Sequence, residues 1–265
     1  DGVDDYVDIS NVANDLNSVT DFSFHFSLNP RTVSFPQSTS YVFSINGSGG
    51  GNINVLLVGI DRSNGRVSVH SGFTSELNVT DSTWHDLTYT RNGTVGTLFL
   101  DGVVAGTHNA SYTLSSGDYW SIGQEFDGTN VTNEYVGVID NVSVWERALT
   151  EEEIQANMSE EFFDNEDGLV GRWKFNAGEG NMAFDHSGNA NHGNIIGPSW
   201  NIPSFQPQTT EELQTAVDLW ISDNASALVT YGEINTWDVS LITSMYQLFK
   251  DQTTFNDNIS AWDVS

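Results

Sequence analysis

Two carboxylates stand two residues apart at Glu125 and Asp127, in a stretch rich in Gly and Asn, with Asn130, Asn133 and Glu134 close behind. These are hard oxygen donors crowded onto a short segment, the set that Ca²⁺ prefers. The plainer reading of the same residues is an acidic surface loop that holds no ion. Aromatic residues flank the acidic stretch at Tyr119, Trp120, Phe126 and Tyr135. An aromatic ring with one exposed face can stack on the C–H face of a sugar. Alternation with Ile122 points Trp120 inward, so Tyr119 and Tyr135 are the expected exposed rings, with Asn130 as a polar contact.

Composition narrows the partners. The 265 residues carry 36 acidic and 8 basic side chains, a net charge of −28. Phosphate backbones need a basic face, so nucleic acid is not an expected partner. Anionic lipid surfaces are disfavoured for the same reason. No apolar run is long enough to span a bilayer, so membrane insertion is not expected. Cysteine is absent, which removes disulfides, zinc thiolates and a cysteine nucleophile. The histidines show no zinc spacing, and no phosphate loop or dinucleotide motif is present. The chain begins at Asp1 without Met, as an excised piece of something longer would.

The elements that must position these residues are strands. Phe22-Ser23-Phe24-His25-Phe26-Ser27-Leu28 alternates apolar and polar, as do Val67–His70 and Val138–Trp145. Asn46-Gly47, Asn64-Gly65, Asn92-Gly93 and Asp101-Gly102 supply turn signals between such runs. Short strands at this spacing predict a mainly β chain built as an antiparallel jelly-roll β-sandwich. Trp84 is expected in its core rather than as a platform for a sugar ring. Thr150 caps a following helix, Glu153 completes a capping box, and Glu151 and Glu152 suit the helix N-terminus.

The run Gly123-Gln124-Glu125-Phe126-Asp127, then Gly137-Val138-Ile139-Asp140-Asn141-Val142, Trp145 and an acidic helix start, resembles the pentraxins and their LamG-like relatives. Trp84-His85-Asp86-Leu87 and Leu98-Phe99-Leu100-Asp101-Gly102 resemble the LamG-like pair W-H-x-L and L-Y-L-D-G. The resemblance implies a Ca²⁺ site built from Glu125, the Phe126 carbonyl and Asp127, with Asn133 as a further amide ligand. The family also offers an Asp-Asn pair before an apolar run. Here the run is Leu56-Leu57-Val58, Asn54 matches the Asn, and Ile53 stands where the Asp would be. That departure removes a charged ligand and leaves Asn54 or Asn52 to complete one site. Extracellular modules of this kind bind Ca²⁺ at roughly 10⁻⁴–10⁻³ M.

The fold class also holds sugar hydrolases. Laminarinase-type enzymes place E-x-D-x-x-E or E-x-D-x-E on a strand. Glu125-Phe126-Asp127-Gly128-Thr129-Asn130 has the first two carboxylates and lacks the third, and its Gly and Asn content predicts a loop. No catalytic residue is assigned, and the chain is not expected to be an enzyme.

Residues 168–200 resemble the segment that opens many LamG-like modules, G-L-V-G-x-W-x-F and D-x-S-G-N-x-N-H-G, yet follow the module's body. They either supply closing strands to one jelly roll in permuted order or begin a second, interrupted module. Closure is the expectation, because a lone opener would leave Leu169, Trp173 and Phe175 without a partner sheet. Asp164-Asn165-Glu166-Asp167 reads as a solvated linker. Asp185 reads as the anchor of a Gly/Asn turn, or as a ligand of a structural ion with Asn189.

The jelly roll is assigned residues 1–205, and a helix with a repeat takes 206–265. The helix starts near Thr209, with Leu213, Ala216, Val217, Trp220 and Ile221 on one face. Ile234-Asn235-Thr236-Trp237-Asp238-Val239-Ser240 returns as Ile259-Ser260-Ala261-Trp262-Asp263-Val264-Ser265, a period of 25 residues. A small α/β solenoid-like segment is expected, resembling the BspA-type surface repeats. One such unit cannot bury its own core, so the array is expected to continue.

The resulting expectation is a Ca²⁺-dependent module of an extracellular or cell-surface adhesion protein that binds a glycan or a cell-surface or matrix protein. The alternatives are a structural spacer without a glycan ligand and a laminarinase-like hydrolase.

Overall fold

A computed structural model describes residues 5–31, 39–48, 53–79, 83–127, 130–157, 166–176, 180–198, 205–232, 234–250, 252, 255–260 and 262. The chain divides into two compact units, Asp1–Ser199 and Trp200–Ser265. The first unit holds the strands β1 (Tyr6–Asp8), β2 (Phe22–Pro30), β3 (Thr39–Asn46), β4 (Asn54–Asp61), β5 (Arg66–Val69), β6 (Phe73–Asn78), β7 (His85–Asn92), β8 (Val95–Leu100), β9 (Val103–Asn109), β10 (Tyr119–Ile122), β11 (Glu125–Asp127), β12 (Asn130–Thr132), β13 (Gly137–Trp145), β14 (Leu169–Trp173), β15 (Met182–Ala183) and β16 (Gly193–Ile196).

Among the described residues they form an eight-stranded sheet, β15-β16-β1-β10-β3-β4-β5-β6, and a six-stranded sheet, β14-β13-β2-β7-β8-β9. All pairings are antiparallel, and a separate hairpin joins β11 to β12. This is the mainly β, jelly-roll-like sandwich that the alternation predicted. The core between the sheets is aromatic. Phe22, Phe24, Phe26 and Leu28 of β2 are fully buried, and Phe24 stacks on Phe43 of β3 at 3.9 Å. Each such ring contributes about 1.5–3 kcal/mol by leaving water.

The segment after the body of the sandwich pairs with both sheets. β14 lies against β13 with Trp173 opposite Val142, and β16 lies against β1 with Ile195 opposite Val7. Trp173 is fully buried in the common core. Asp185 anchors the turn between them. It accepts from the Arg172 and Ser187 amides through Oδ1, each at 2.8 Å, and from the Asn191 amide through Oδ2 at 2.8 Å. A carboxylate that holds backbone amides in this way already has its structural role.

Turn chemistry acts as expected at Asp101-Gly102, where φ values of 50° and 70° make the mirror-image turn that β8 and β9 need. Asn46 differs from expectation. It is the last residue of β3, and only Gly47 lies beyond the strand. Trp84 is also corrected. It is 51% exposed rather than part of the core. Leu87 and Tyr89 of β7 point into the core, so the alternation carried back along the chain sends Trp84 to the opposite side.

The helix α1 (Glu151–Asn157) carries the expected capping box. The Glu153 amide donates to Thr150 Oγ1 at 3.2 Å, and the Thr150 amide to Glu153 Oε2 at 2.7 Å. Of the linker read at residues 164–167, Asp164 and Asn165 lie outside the described residues, while Glu166 Oε2 accepts from the buried Trp145 indole at 3.3 Å.

In the second unit, α2 (Thr210–Ser222) begins at Thr209, whose side chain accepts from the Glu212 amide. It buries Leu213, Ala216, Val217 and Trp220. A second helix, α3 (Asn224–Tyr231), and a 3₁₀ turn at Ile234–Thr236 follow. Trp237 and Trp262, the equivalent residues of the two repeat copies, stack at 6.1 Å with planes 19° apart. Among the described residues this unit contains helices and turns and no strand.

Candidate functional site

The acidic stretch is a short hairpin and not the open loop that its composition predicts. Gly123 sets its entry. Its φ of 93° is open to glycine, and its amide donates to the Val42 carbonyl at 2.8 Å. β11 and β12 then pair with Glu125 opposite Thr132, Phe126 opposite Val131 and Asp127 opposite Asn130. Strand alternation puts Glu125 and Asp127 on one face and Phe126 on the other. Gly128 and Thr129, at the tip, lie outside the described residues.

The chain leaves the hairpin through Asn133, whose φ of 52° is a left-handed conformation that Asn tolerates better than most residues. Its main chain is tied down by the Tyr41 amide, which donates to the Asn133 carbonyl at 2.8 Å. This turn brings the side chain back to the hairpin. Asn133 Nδ2 donates to Glu125 Oε1 at 2.5 Å.

Asn46 joins the remaining pieces. Its Nδ2 donates to Asn54 Oδ1 at 3.0 Å and to the Phe126 carbonyl at 3.3 Å, and its Oδ1 accepts from the Phe126 amide at 3.4 Å. One buried carboxamide therefore ties the ends of β3 and β4 to the hairpin. The predicted ligands Glu125, Phe126, Asn133 and Asn54 are brought together in this way. Asp127 sits one turn of the pleat from Glu125. Asn52 lies outside the described residues.

Three oxygens in this region are buried without a partner among the described residues: Gln124 Oε1, Glu125 Oε2 and Thr132 Oγ1. Glu125 is only 4% exposed, and burial pushes its carboxyl above the usual carboxylate range. The Asn133 hydrogen bond works against that shift, and the Asp127 charge adds to it. Tyr41 reports the same field. Burial and the nearby Glu125 and Asp127 charges push its hydroxyl up to about 12. The site therefore concentrates negative charge and unpaired acceptors, the donor chemistry that fits a hard cation. Among the described residues no three His, Cys, Asp or Glu side chains converge as a metal-binding group. An ion here would rely on carboxamide and carbonyl oxygens beside Glu125 and Asp127.

Next to this charge lies an aromatic strip. Phe126 meets Tyr6 of β1 edge to face at 5.5 Å and Tyr119 of β10 at 5.9 Å. Tyr119 is 51% exposed, as its position before the inward Trp120 predicts. Asn130 is exposed at the end of the hairpin. Tyr135 is corrected. It is buried in the core, and burial pushes its hydroxyl upward. The reason is the crossover to β13, which is held close to the sandwich. The Tyr135 amide donates to the Gly123 carbonyl, and the Arg31 amide to the Val136 carbonyl.

Sequence reasoning missed Asn46, Tyr41, Gln124, Thr132 and Tyr6. Asn46 carried a signal, but it was the one for a turn. Nothing local marks Tyr6, which reaches the hairpin only through the pairing of β1 with β10.

This sandwich is the fold of a lectin-like module. Residues 1–155 match the family described as the concanavalin A-like lectin/glucanases superfamily, and the chain belongs to it. Residues 221–265 match a family described as a Mycoplasma protein of unknown function, DUF285. Among curated proteins none matches this chain. A solved structure from Bacteroides ovatus, of a protein proposed to bind carbohydrate, is similar at 15% identity with a TM-score of 0.52, over 69% of this chain and 54% of that one. This chain thus spans about half the length of that protein. A heptameric SAP-like pentraxin from Limulus polyphemus is 17% identical with a TM-score of 0.46, over 58% of this chain and 75% of its own. The CBM40 of a Ruminococcus gnavus IT-sialidase, bound to α2,3-sialyllactose, is 13% identical with a TM-score of 0.47, over 60% of this chain and 95% of its own. The likeness to the Bacteroides ovatus protein, at 15% identity, bears on the fold alone.

Proposed function

We propose that the first unit is a Ca²⁺-dependent binding module for a glycan, or for a glycan-bearing or matrix protein, in an extracellular or cell-surface adhesion protein. The observation that carries the reading is Glu125 Oε2, a buried carboxylate oxygen without a partner among the described residues, in a hairpin region that also holds the unpartnered Gln124 Oε1 and Thr132 Oγ1. Leaving such a group unpaired costs about 1–3 kcal/mol, more for a charge. A cation removes that cost. Glu125, the Phe126 carbonyl, Asp127 and Asn133 would hold the ion, with Asn54 and Asn52 completing the set. The ion would supply positive charge to the hairpin and open positions for ligand hydroxyls. Tyr119, with Phe126 and Tyr6 behind it, offers an aromatic face to a sugar ring, and Asn130 a polar contact. Membership in the concanavalin A-like lectin/glucanases superfamily supports a sugar as the ligand.

The second reading is a spacer, with the contacts made by a BspA-like array in the second unit. The stacked Trp237 and Trp262 favour it, because a solenoid repeat buries its core against the equivalent residues of its neighbour. A hydrolase is disfavoured. Glu125 and Asp127 do share a strand face, but Thr129 and Asn130 occupy the positions where a third carboxylate would stand.

Melting curves in EDTA and in CaCl₂, for the wild type and Asp127→Asn, test the proposal. A site of about 1 mM affinity at about 10 mM Ca²⁺ adds about 1.4 kcal/mol, a rise of about 3–6 °C. Asp127→Asn is expected to abolish the rise. An identical rise in both proteins would move the ion elsewhere, and no rise would leave the spacer reading. Release of reducing sugar from laminarin would support the hydrolase.

A further inference from the structure

We propose that the six-stranded sheet carries a second binding site, on its face away from the core, for a neutral hexopyranose chain, with Trp84 as the stacking platform and Asp86 as the hydroxyl acceptor. It lies outside the β11–β12 hairpin that carries the calcium-dependent reading and needs no ion. Trp84 is 51% exposed, and packing does not explain it. Among the described residues it makes no ring contact and no hydrogen bond. The alternation of β7 places it on the side of Asp86 and Thr88.

The polar groups beside it are held in place. Asp86 Oδ1 accepts from Ser27 Oγ at 2.7 Å and lies 3.5 Å from His25 Nε2. His25 is buried, and its Nδ1 sits 2.9 Å from Thr88 Oγ1. The Asp86 amide donates to Asp101 Oδ1 at 2.9 Å, and Asp101 Oδ2 sits 2.8 Å from His85 Nδ1. These contacts occupy Asp86 Oδ1 and leave Oδ2 as an acceptor on a side chain that is 25% exposed. Burial drives the His25 pKa down to about 4, against the pull of Asp86.

A single exposed indole among fixed acceptors suits a sugar ring, which has one apolar C–H face and a rim of hydroxyls. A protein partner would call for a wider apolar surface, and Trp84 is flanked by Thr83, His85 and Asp86. The carboxylates of Asp86 and Asp101, on a chain of net charge −28, repel anionic sugars.

The test is affinity electrophoresis in EDTA through gels containing laminarin, a xylan or a mannan, with alginate as the anionic probe. Wild type is expected to be retarded by at least one neutral polymer, to the same extent with and without EDTA, and not by alginate. Trp84→Ala is expected to bind at least tenfold more weakly, Trp84→Phe to retain part of the binding, and Asp86→Asn to lose severalfold. Quenching of tryptophan emission by the matching oligosaccharide, present in wild type and absent in Trp84→Phe, covers the case in which Trp84→Ala melts early. Free migration of the wild type through all three neutral gels overturns the proposal. So does unchanged retardation of Trp84→Ala, retardation that appears only with Ca²⁺, or retardation by alginate.

Discussion

Asn133 holds one oxygen of the Glu125 carboxylate at 2.5 Å, and the other oxygen of that carboxylate is buried with no partner among the described residues. The chain has spent a left-handed residue and a tied-down crossover to satisfy half of a buried charge. A carboxamide can also turn over and present its oxygen in place of its nitrogen. The pair is therefore suited to exchange a hydrogen bond for an ion.

The first consequence is a pH dependence of the ion-free protein. Burial raises the Glu125 pKa above its unfolded value. The stability linked to this group is then fully present below the ordinary carboxylate range and is lost as pH rises through the raised value. In EDTA at pH 7, Glu125→Gln is expected to melt higher than the wild type, with the gap closing below about pH 4. Melting curves of both proteins from pH 3 to pH 8 check this. A Glu125→Gln variant that melts lower than wild type at pH 7 would show that the charge is already compensated.

Asn46 is expected to matter more than its place beside a Gly suggests. Asn46→Ala removes the donor shared by Asn54 Oδ1 and the Phe126 carbonyl, and the acceptor of the Phe126 amide. Asn46 is only 3% exposed, so water replaces it poorly. The loss is expected to be about 1–3 kcal/mol in urea denaturation. A change under about 0.5 kcal/mol would mean that the hairpin is not anchored through this residue.

The repeat in the second unit depends on its tryptophans. Trp262 Nε1 donates to the Ile234 carbonyl at 2.7 Å while its ring stacks on Trp237. Trp262→Ala opens a cavity and strips that carbonyl of its donor, at a cost of about 3–5 kcal/mol. The helical circular dichroism of α2 and α3 is expected to be lost at markedly lower urea. An unchanged midpoint would mean that the second copy adds nothing to this core.

Much of the sandwich was legible in the sequence because a strand buried on one face must alternate. Phe22 to Leu28 could be assigned to the core from that period alone. The cap of α1 was legible for a similar reason, since Thr150 and Glu153 act over three residues. The failures have one cause. Trp84 and Tyr135 were placed by motif and by neighbourhood, but their orientation follows from the phase of β7 and from how the crossover to β13 is tied down. The hairpin was misread because Gly and Asn signal a turn whether the flanking residues pair or not.

By itself, then, the sequence determined the β-sandwich, the capped helix α1, the 25-residue repeat and the acidic character of the stretch around Glu125. Those are properties of local period, local hydrogen bonding and composition. Tertiary structure alone decided that Asn46, Asn54 and Asn133 meet at one hairpin, that Tyr6 and Tyr119 flank Phe126, and that residues after the sandwich body pair with both sheets. Each depends on strands far apart in the chain becoming neighbours. That pairing is chosen by the burial of the whole core, and no short window of residues records it.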